Sequence, residues 1–298
     1  VYPEELSMIR ALSLLACLLV ASIPLGGAEW TMTDLGETTI VPMATAPFPH
    51  ESRADGYARN DVVYPAAEHY MNNDVALFLP KGWDPNLGVH LLFYFHGHDN
   101  NVRQSLDQYR LREQIVESRR NVVLVFPQGP FKAPDSSGGR LEEPGAFAAI
   151  ATEVLALLRS EGRITSQPLG RVVLSGHSGA FRVIAHGVMH GGLPISEVYL
   201  LDGSYGFGEE FAQWATASPD HRLRSIFTDH LAARNAWMVG RLNGLDQSPL
   251  LILEEDWTPE IDQAERLLFL HTSRLDHNGA VTYLGKWLSN SPLPTVTP

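Results

Sequence analysis

Gly170-Arg171-Val172-Val173-Leu174-Ser175-Gly176-His177-Ser178-Gly179-Ala180 is the stretch whose reading decides the fold of this chain. The apolar, β-branched run from Val172 to Leu174 has the character of a buried strand. It ends in a serine with small residues two positions to either side, Gly176 and Ala180, and the segment Phe181 to Met189 that follows has helical spacing. A turn tight enough to join such a strand directly to such a helix pushes residue 178 outward, and larger side chains at 176 and 180 would collide across it. The pattern predicts an exposed Ser178 on a strained turn, with the backbone N–H of Gly179 turned toward a developing oxyanion. Gly-x-Ser-x-small also arises by chance, and the fifth position here is Ala rather than Gly. The strand before it and the helix after it make the catalytic reading the better one.

Outward from this turn the chain alternates between two periods. Upstream, Val75 to Leu79, Val89 to Phe95 and Asn121 to Phe126 are apolar runs of strand length, as expected of strands buried on both faces of a parallel sheet. Helices are predicted from roughly Val102 to Ser118 and from Pro144 or Gly145 onward, with apolar positions at Phe147, Ile150, Val154, Leu157 and Leu158. Downstream, strands are predicted at Val198–Leu201, Leu223–Thr228 and Arg266–His271, with a strand or sheet edge at Leu250–Leu253. Helices fall near Phe211–Ala215, Ala232–Leu242 and Gly279–Leu288, and the tail Ser289–Pro298 is expected to fray. Such alternation implies an α/β fold: a mostly parallel central sheet with helices on both faces. No linker interrupts residues 75–290, so one catalytic domain over residues 61–298 is the simpler organisation. The polar, Thr- and Pro-rich residues 29–60 are expected to be an irregular N-terminal segment.

The bulk numbers narrow the function. The chain has 298 residues, 44% hydrophobic and 19% charged, which suits a large globular domain. A formal net charge of −12 argues against nucleic acid or an anionic membrane as partner. Met8-Ile9-Arg10, the apolar run Ala11 to Ile23 and the small residues Gly26 and Ala28 describe a secretory signal peptide over residues 1–28, cleaved after about Ala28, with residues 1–7 as a possible upstream extension. The expected location is therefore secreted or periplasmic, with no integral membrane segment in the mature chain. The single cysteine, Cys17, lies inside this run, and the apolar segment continues well past it, so a lipid-attachment box there is not expected. Cleavage after Ala28 leaves no cysteine for a disulfide, a thiolate metal site or a nucleophile.

Residues from about Val75 to Leu288 resemble the α/β-hydrolase superfamily, and within it the secreted serine esterases. The resemblance is carried by Gly176-His177-Ser178-Gly179-Ala180, by Phe95-His96-Gly97 at the end of an upstream strand, and by His277 in the loop ahead of the last helix. It implies an α/β-hydrolase fold and the chain order nucleophile, acid, histidine, hence Ser178 as nucleophile and His277 as general base. The acid would be Asp202, which closes the next strand before Gly203, or alternatively Asp229, which closes the one after; Asp202 has the cleaner strand-to-turn exit. The oxyanion donors would be the backbone N–H groups of Gly179 and of His98, or Asp99 in place of His98. The short segments after Asp202 leave no room for a large lid, and Tyr205, Trp214 and Trp237 are aromatic residues available to line an open site.

Two metal-like patterns compete. His96-x-His98 followed by Asp99 approaches a metallo-hydrolase motif, but the aspartate stands one position early and no further histidine follows. His186 and His190 share a helix face, yet the position after His186 that would carry a metalloprotease's glutamate is Gly187. No metal and no cofactor is expected. The reading is a secreted serine hydrolase that cleaves carboxylic esters through an acyl-enzyme on Ser178, with short-chain or exposed acyl groups on a small-molecule or polymer substrate. An amidase or peptidase with the same triad, or a non-catalytic binding protein of the same fold, is the alternative; oligomeric state is left open.

Overall fold

The computed structural model describes residues 27–296. The expected signal segment up to Gly26, with Cys17, lies outside the described residues. In chain order, β1 (Thr31–Thr33) and β2 (Gly36–Pro42) lead to the hairpin β3 (Tyr57–Arg59) and β4 (Val62–Tyr64), a short α1 (Ala66–His69) and β5 (Asp74–Pro80). Next come β6 (Val89–Phe95), α2 (Val102–Gln108), α3 (Leu111–Ser118), β7 (Val123–Pro127), α4 (Ala146–Ser160), β8 (Leu169–His177) and α5 (Phe181–His190). The chain continues through β9 (Ile195–Leu201), α6 (Gly208–Thr216), β10 (Arg222–Phe227) and α7 (Ala232–Asn243). It closes with β11 (Leu250–Leu253), α8 (Pro259–Ala264), β12 (Leu267–His271) and α9 (Tyr283–Ser289).

Ten of these strands form one sheet in the order β1-β2-β5-β7-β6-β8-β9-β10-β12-β11. The first three are antiparallel to their neighbours, and from β7 onward every pairing is parallel. Strand periodicity divides the core. Along β6, Val89, Leu91, Phe93 and Phe95 join one apolar layer with Phe147 and Ile150 of α4 and Ile184 of α5. Leu92 and Tyr94 enter the opposite layer with Leu111 and Ile115 of α3 and Trp287 of α9. Both faces are covered, which is why the β6 sequence is apolar without alternation.

The strand order reverses around β6: the chain crosses to β7 on one side and to β8 on the other. Ligand crevices of open α/β sheets lie beyond the carboxyl ends of strands at such a reversal. Ser178 follows β8, and Gly97 and His98 follow β6, so the predicted site stands at that point.

Three expectations change. Residues 29–60 are not irregular throughout: Gly36–Pro42 pairs antiparallel with β5 along its length, and Thr31–Thr33 pairs with it in turn. The β-branched run Thr38-Thr39-Ile40-Val41 supplies the strand propensity, hidden by its polar composition at a sheet edge. The single helix expected over 102–118 is two, broken at Arg110, whose φ is +49°. The break places Tyr109 against the site: its ring meets His177 edge-on at 5.5 Å and its hydroxyl donates to Asn278 Oδ1 at 2.9 Å. The tail does not fray over its described part. Asn121 N–H donates to Pro294 O, Val296 N–H to Arg119 O, and the Arg120 guanidinium reaches the carbonyls of Leu288, Ser289 and Leu293. Leu293, 1% exposed, is buried in the layer beneath α9.

Candidate active site

The turn after β8 has the geometry its sequence demands. Ser178 has φ of +56°, a left-handed backbone that a non-glycine residue adopts only under constraint. A Cβ on Gly176 would fall 2.6 Å from the Ala180 Cβ and 2.9 Å from Ile184, so nothing larger than glycine fits without the turn opening. Ala180 is tolerated because its methyl already fills that space. A Cβ on Gly97, across the crevice, would lie 2.8 Å from the Ser178 Cβ, so the loop after β6 runs directly against the serine.

Asp202 directly follows β9, and its φ of +46° turns the chain sharply at the same sheet edge. Its side chain is fully buried, with one carboxylate oxygen 2.6 Å from His277 Nδ1. Thr228 donates both its N–H, at 2.8 Å, and its hydroxyl, at 3.0 Å, to the same carboxylate. Burial alone would raise this carboxyl; the hydrogen bonds from His277 and Thr228 outweigh it and hold Asp202 below the usual range. Since the carboxylate only accepts, the His277 proton sits on Nδ1, leaving Nε2 as its basic nitrogen. Asp229 lies apart: its exposed carboxylate meets His271 Nε2 at 2.7 Å. The structure thus brings Asp202 and His277 together and pairs Asp229 with a different histidine.

His177, inside the turn, is buried and donates from Nε2 to the His277 carbonyl at 3.0 Å. Its ring centroid is 4.4 Å from that of His277. Burial, reinforced by His277, lowers its pKa to about 4, so it stays neutral as it pins the His277 loop to the turn. His96 is likewise neutral, lowered to about 4 by burial: Nδ1 donates to Gly97 O at 2.7 Å and Nε2 accepts from Gln128 at 2.8 Å. Both of its ring nitrogens are thus hydrogen-bonded.

Of the two loop amides expected to face an oxyanion, Asp99 N–H is taken by Ala133 O at 3.1 Å. His98 N–H has no protein acceptor among the described residues. The His98 side chain adds something the sequence did not suggest. Its imidazole crosses the face of Gly179, where a Cβ would come within 2.6 Å of it, and its Nε2 meets Ser136 Oγ at 2.9 Å. Glycine at 179 is required for that close approach.

Among the aromatic residues expected near the site, Trp214 is core, stacked on His221 at 4.4 Å, and Trp237 is half exposed over Gly208. Tyr205 does stand at the site. It is joined at 2.7 Å to His230 Nε2, and His230 Nδ1 meets Thr228 Oγ1 at 2.7 Å. Sequence reasoning missed His230 and Thr228; their signal was adjacency to Asp229 at the end of β10. Asp202, His230 and His277 are the described residues whose metal-capable atoms converge, within 4.8 Å; His277 bonds Asp202 directly, while His230 reaches it only through Thr228. His186 and His190 sit on one face of α5 as spaced, where His190 Nε2 bonds the Glu142 carbonyl at 2.8 Å. Gly187 between them lets α5 press on Leu174 and Phe147.

This architecture, a mostly parallel sheet with three antiparallel strands at one edge and a strained serine turn at the strand-order reversal, is the α/β-hydrolase fold. No protein-family model matches the chain, and no curated protein does. Solved structures similar to it include the feruloyl esterase module from Clostridium thermocellum, at 13% identity over 73% of this chain and 82% of that one, with a TM-score of 0.48. The fluorophosphonate-binding serine hydrolase F of Staphylococcus aureus is similar at 11% identity over 89% and 100%, TM-score 0.49. The S-formylglutathione hydrolase from Agrobacterium tumefaciens is similar at 11% over 88% and 97%, TM-score 0.48. No helix among the described residues is long and apolar enough to cross a membrane.

Proposed function

We propose that the chain is a serine hydrolase of carboxylic esters, with Ser178 as nucleophile, His277 as general base and Asp202 as the acid. The observation that carries this is the buried Asp202 carboxylate 2.6 Å from His277 Nδ1, beside a serine held at positive φ. Ser178 Oγ attacks the acyl carbon while His277 Nε2 takes its proton. The resulting imidazolium is stabilised by Asp202, and the backbone N–H groups of Gly179 and His98 receive the oxyanion. Collapse expels the alcohol, which takes the proton back from His277, and water releases the acyl group from Ser178 by the same steps. Short connections around the site favour short-chain or exposed acyl groups, and the N-terminal sequence favours export. A fluorophosphonate probe should label the wild-type chain and fail to label Ser178→Ala, and a panel of matched esters and amides should show ester cleavage. Failure of well-folded wild type to label would sink the reading.

A further inference from the structure

Two imidazoles stand around the Asp202 carboxylate, and the ester-cleaving mechanism uses one of them. His277 Nδ1 lies 2.6 Å from Asp202 Oδ2, and His230 Nε2 lies 3.9 Å from the same oxygen. One ligand-capable atom from each of the three side chains falls within 4.8 Å of the other two. The carboxylate is fully buried, whereas the His230 and His277 side chains are 48% and 38% exposed, so the cluster has a fixed anionic floor and an open approach. Protons in the His230 branch can be placed by elimination. An ionised carboxylate has no hydrogen to give, so the Thr228 hydroxyl directs its hydrogen to Asp202, at 3.0 Å. Its oxygen is then the acceptor at the 2.7 Å contact with His230 Nδ1, which leaves His230 Nε2 with its lone pair. The partner of that lone pair is the neutral Tyr205 hydroxyl, at 2.7 Å. Thr228 N–H, 2.8 Å from Asp202 Oδ1, orients the carboxylate from behind. An imidazole whose far N–H is held by an oxygen, beside a carboxylate that is itself hydrogen-bonded, has the outer support that fixes metal-ligating side chains.

We propose that Asp202, His230 and His277 form an inhibitory zinc site. Tetrahedral zinc, with bonds of about 2.0–2.2 Å, holds its ligand atoms roughly 3.4 Å apart. The 3.9 Å separation therefore closes and the 2.6 Å one opens by under about 1 Å each. Two imidazoles with one carboxylate suit zinc better than calcium or magnesium, which take oxygen ligands. Water takes the fourth position, and Tyr205 gives up its hydrogen bond to His230. The effect on catalysis follows from one proton. Neutral His277 carries its hydrogen on Nδ1 and offers Nε2 as the base. When zinc takes the Nδ1 lone pair, that N–H bond breaks and an N–H bond forms at Nε2 through solvent, so the ring stays neutral. Nε2 is then a donor and has no lone pair for the Ser178 proton. The inhibition rests on the reading of Ser178 as nucleophile and His277 as base; zinc binding does not.

The test uses the full chain with zinc chloride, read by titration calorimetry, p-nitrophenyl acetate hydrolysis and imidazole 15N NMR. Wild type and Ser178→Ala should bind zinc with the same affinity, because Ser178 is not a ligand. Wild-type hydrolysis should fall as that site fills and return on addition of EDTA, while calcium or magnesium leaves it unchanged. His230→Gln should weaken zinc binding and raise the half-inhibitory concentration by more than about tenfold, each protein measured against its own metal-free rate; loss of an outer hydrogen-bond partner alone costs a metal site that much. His186→Gln, on the other histidine pair, should change neither value. In the wild-type protein, zinc should move the His277 proton from Nδ1 to Nε2, a readout independent of how any variant folds. No zinc binding by wild type, equal inhibition in His230→Gln, inhibition lost in His186→Gln, or a His277 proton still on Nδ1 at saturating zinc would each overturn the site. Zinc binding to a Ser178→Ala chain that still cleaves esters would support the metal site and overturn the nucleophile instead.

Discussion

Asp202 and Asp262 are both fully buried carboxylates, and their surroundings push them in opposite directions. Asp262, on α8, meets Arg224 Nε at 2.5 Å and Asn290 Nδ2 at 3.1 Å; burial raises it above the usual carboxyl range despite those partners. Asp202 is held low by an imidazole, a hydroxyl and a backbone N–H. A guanidinium is a permanent cation, and that of Arg224 also ties α8 to the sheet through the carbonyls of Asp262, Glu265 and Arg266. Asp202 is paired instead with an imidazole, a kind of group able to take up and release a proton. A permanent counter-ion makes a strut, whereas a titratable one makes a site where charge can move, and burial by itself does not distinguish the two.

The contrast breaks most visibly on substitution. Asp202→Asn should cut kcat by about 10³–10⁴-fold while circular dichroism shows an intact fold, since the amide no longer holds His277 in the useful tautomer. Full activity in that variant would remove Asp202 from the reaction. Arg224→Met should do the reverse. Leaving Asp262 buried and unpaired should cost about 3–5 kcal/mol in urea unfolding, with kcat of the folded fraction unchanged.

The dependence on pH sharpens the difference more gently. His96 and His177, both lowered to about 4, lie at the Asp202 end of the sheet. Their folded values fall below the ordinary 6.5, so the unfolded chain takes up protons first as the pH drops. Their contribution is complete above pH 6.5 and is lost progressively toward pH 4, at a combined slope approaching about 2 kcal/mol per pH unit. Urea midpoints at pH 7, 6 and 5 measure this; a flat profile would mean that neither histidine stays neutral in the fold. The low Asp202 value acts in the same direction at lower pH, contributing stability above its unfolded pKa that is lost only as the pH falls through the lower folded one. The smallest effect is expected for Asp229→Asn. Its exposed pair with His271 should leave activity within about twofold, and a large loss would return Asp229 to the role of acid.

Much of the fold was legible because its signals are local. The buried run Val89–Phe95 reports a strand covered on both faces, and Gly176 and Ala180 report a turn that admits nothing bulky. Less legible were features whose cause lies elsewhere in the chain. The strand Gly36–Pro42 is polar because it is second from a sheet edge, and the tail looks free until Arg120 supplies donors for its carbonyls. The helix break at Arg110 serves Tyr109, whose partner, Asn278, is 169 residues away in sequence.

By itself the sequence determined the strand–turn–helix around Ser178, the alternation that makes a parallel sheet, and the short set of acids and histidines able to serve it. Those follow from sterics and periodicity, which act between neighbours. Tertiary structure alone decided which carboxylate faces His277. Asp202 and Asp229 both follow parallel strands, and the cleaner strand-to-turn exit that favours Asp202 in the sequence says nothing of where His277 lies. The left-handed backbone at Asp202 turns its carboxylate inward, under Thr228 and against the His277 loop, while Asp229 opens a helical turn that leaves its side chain in solvent.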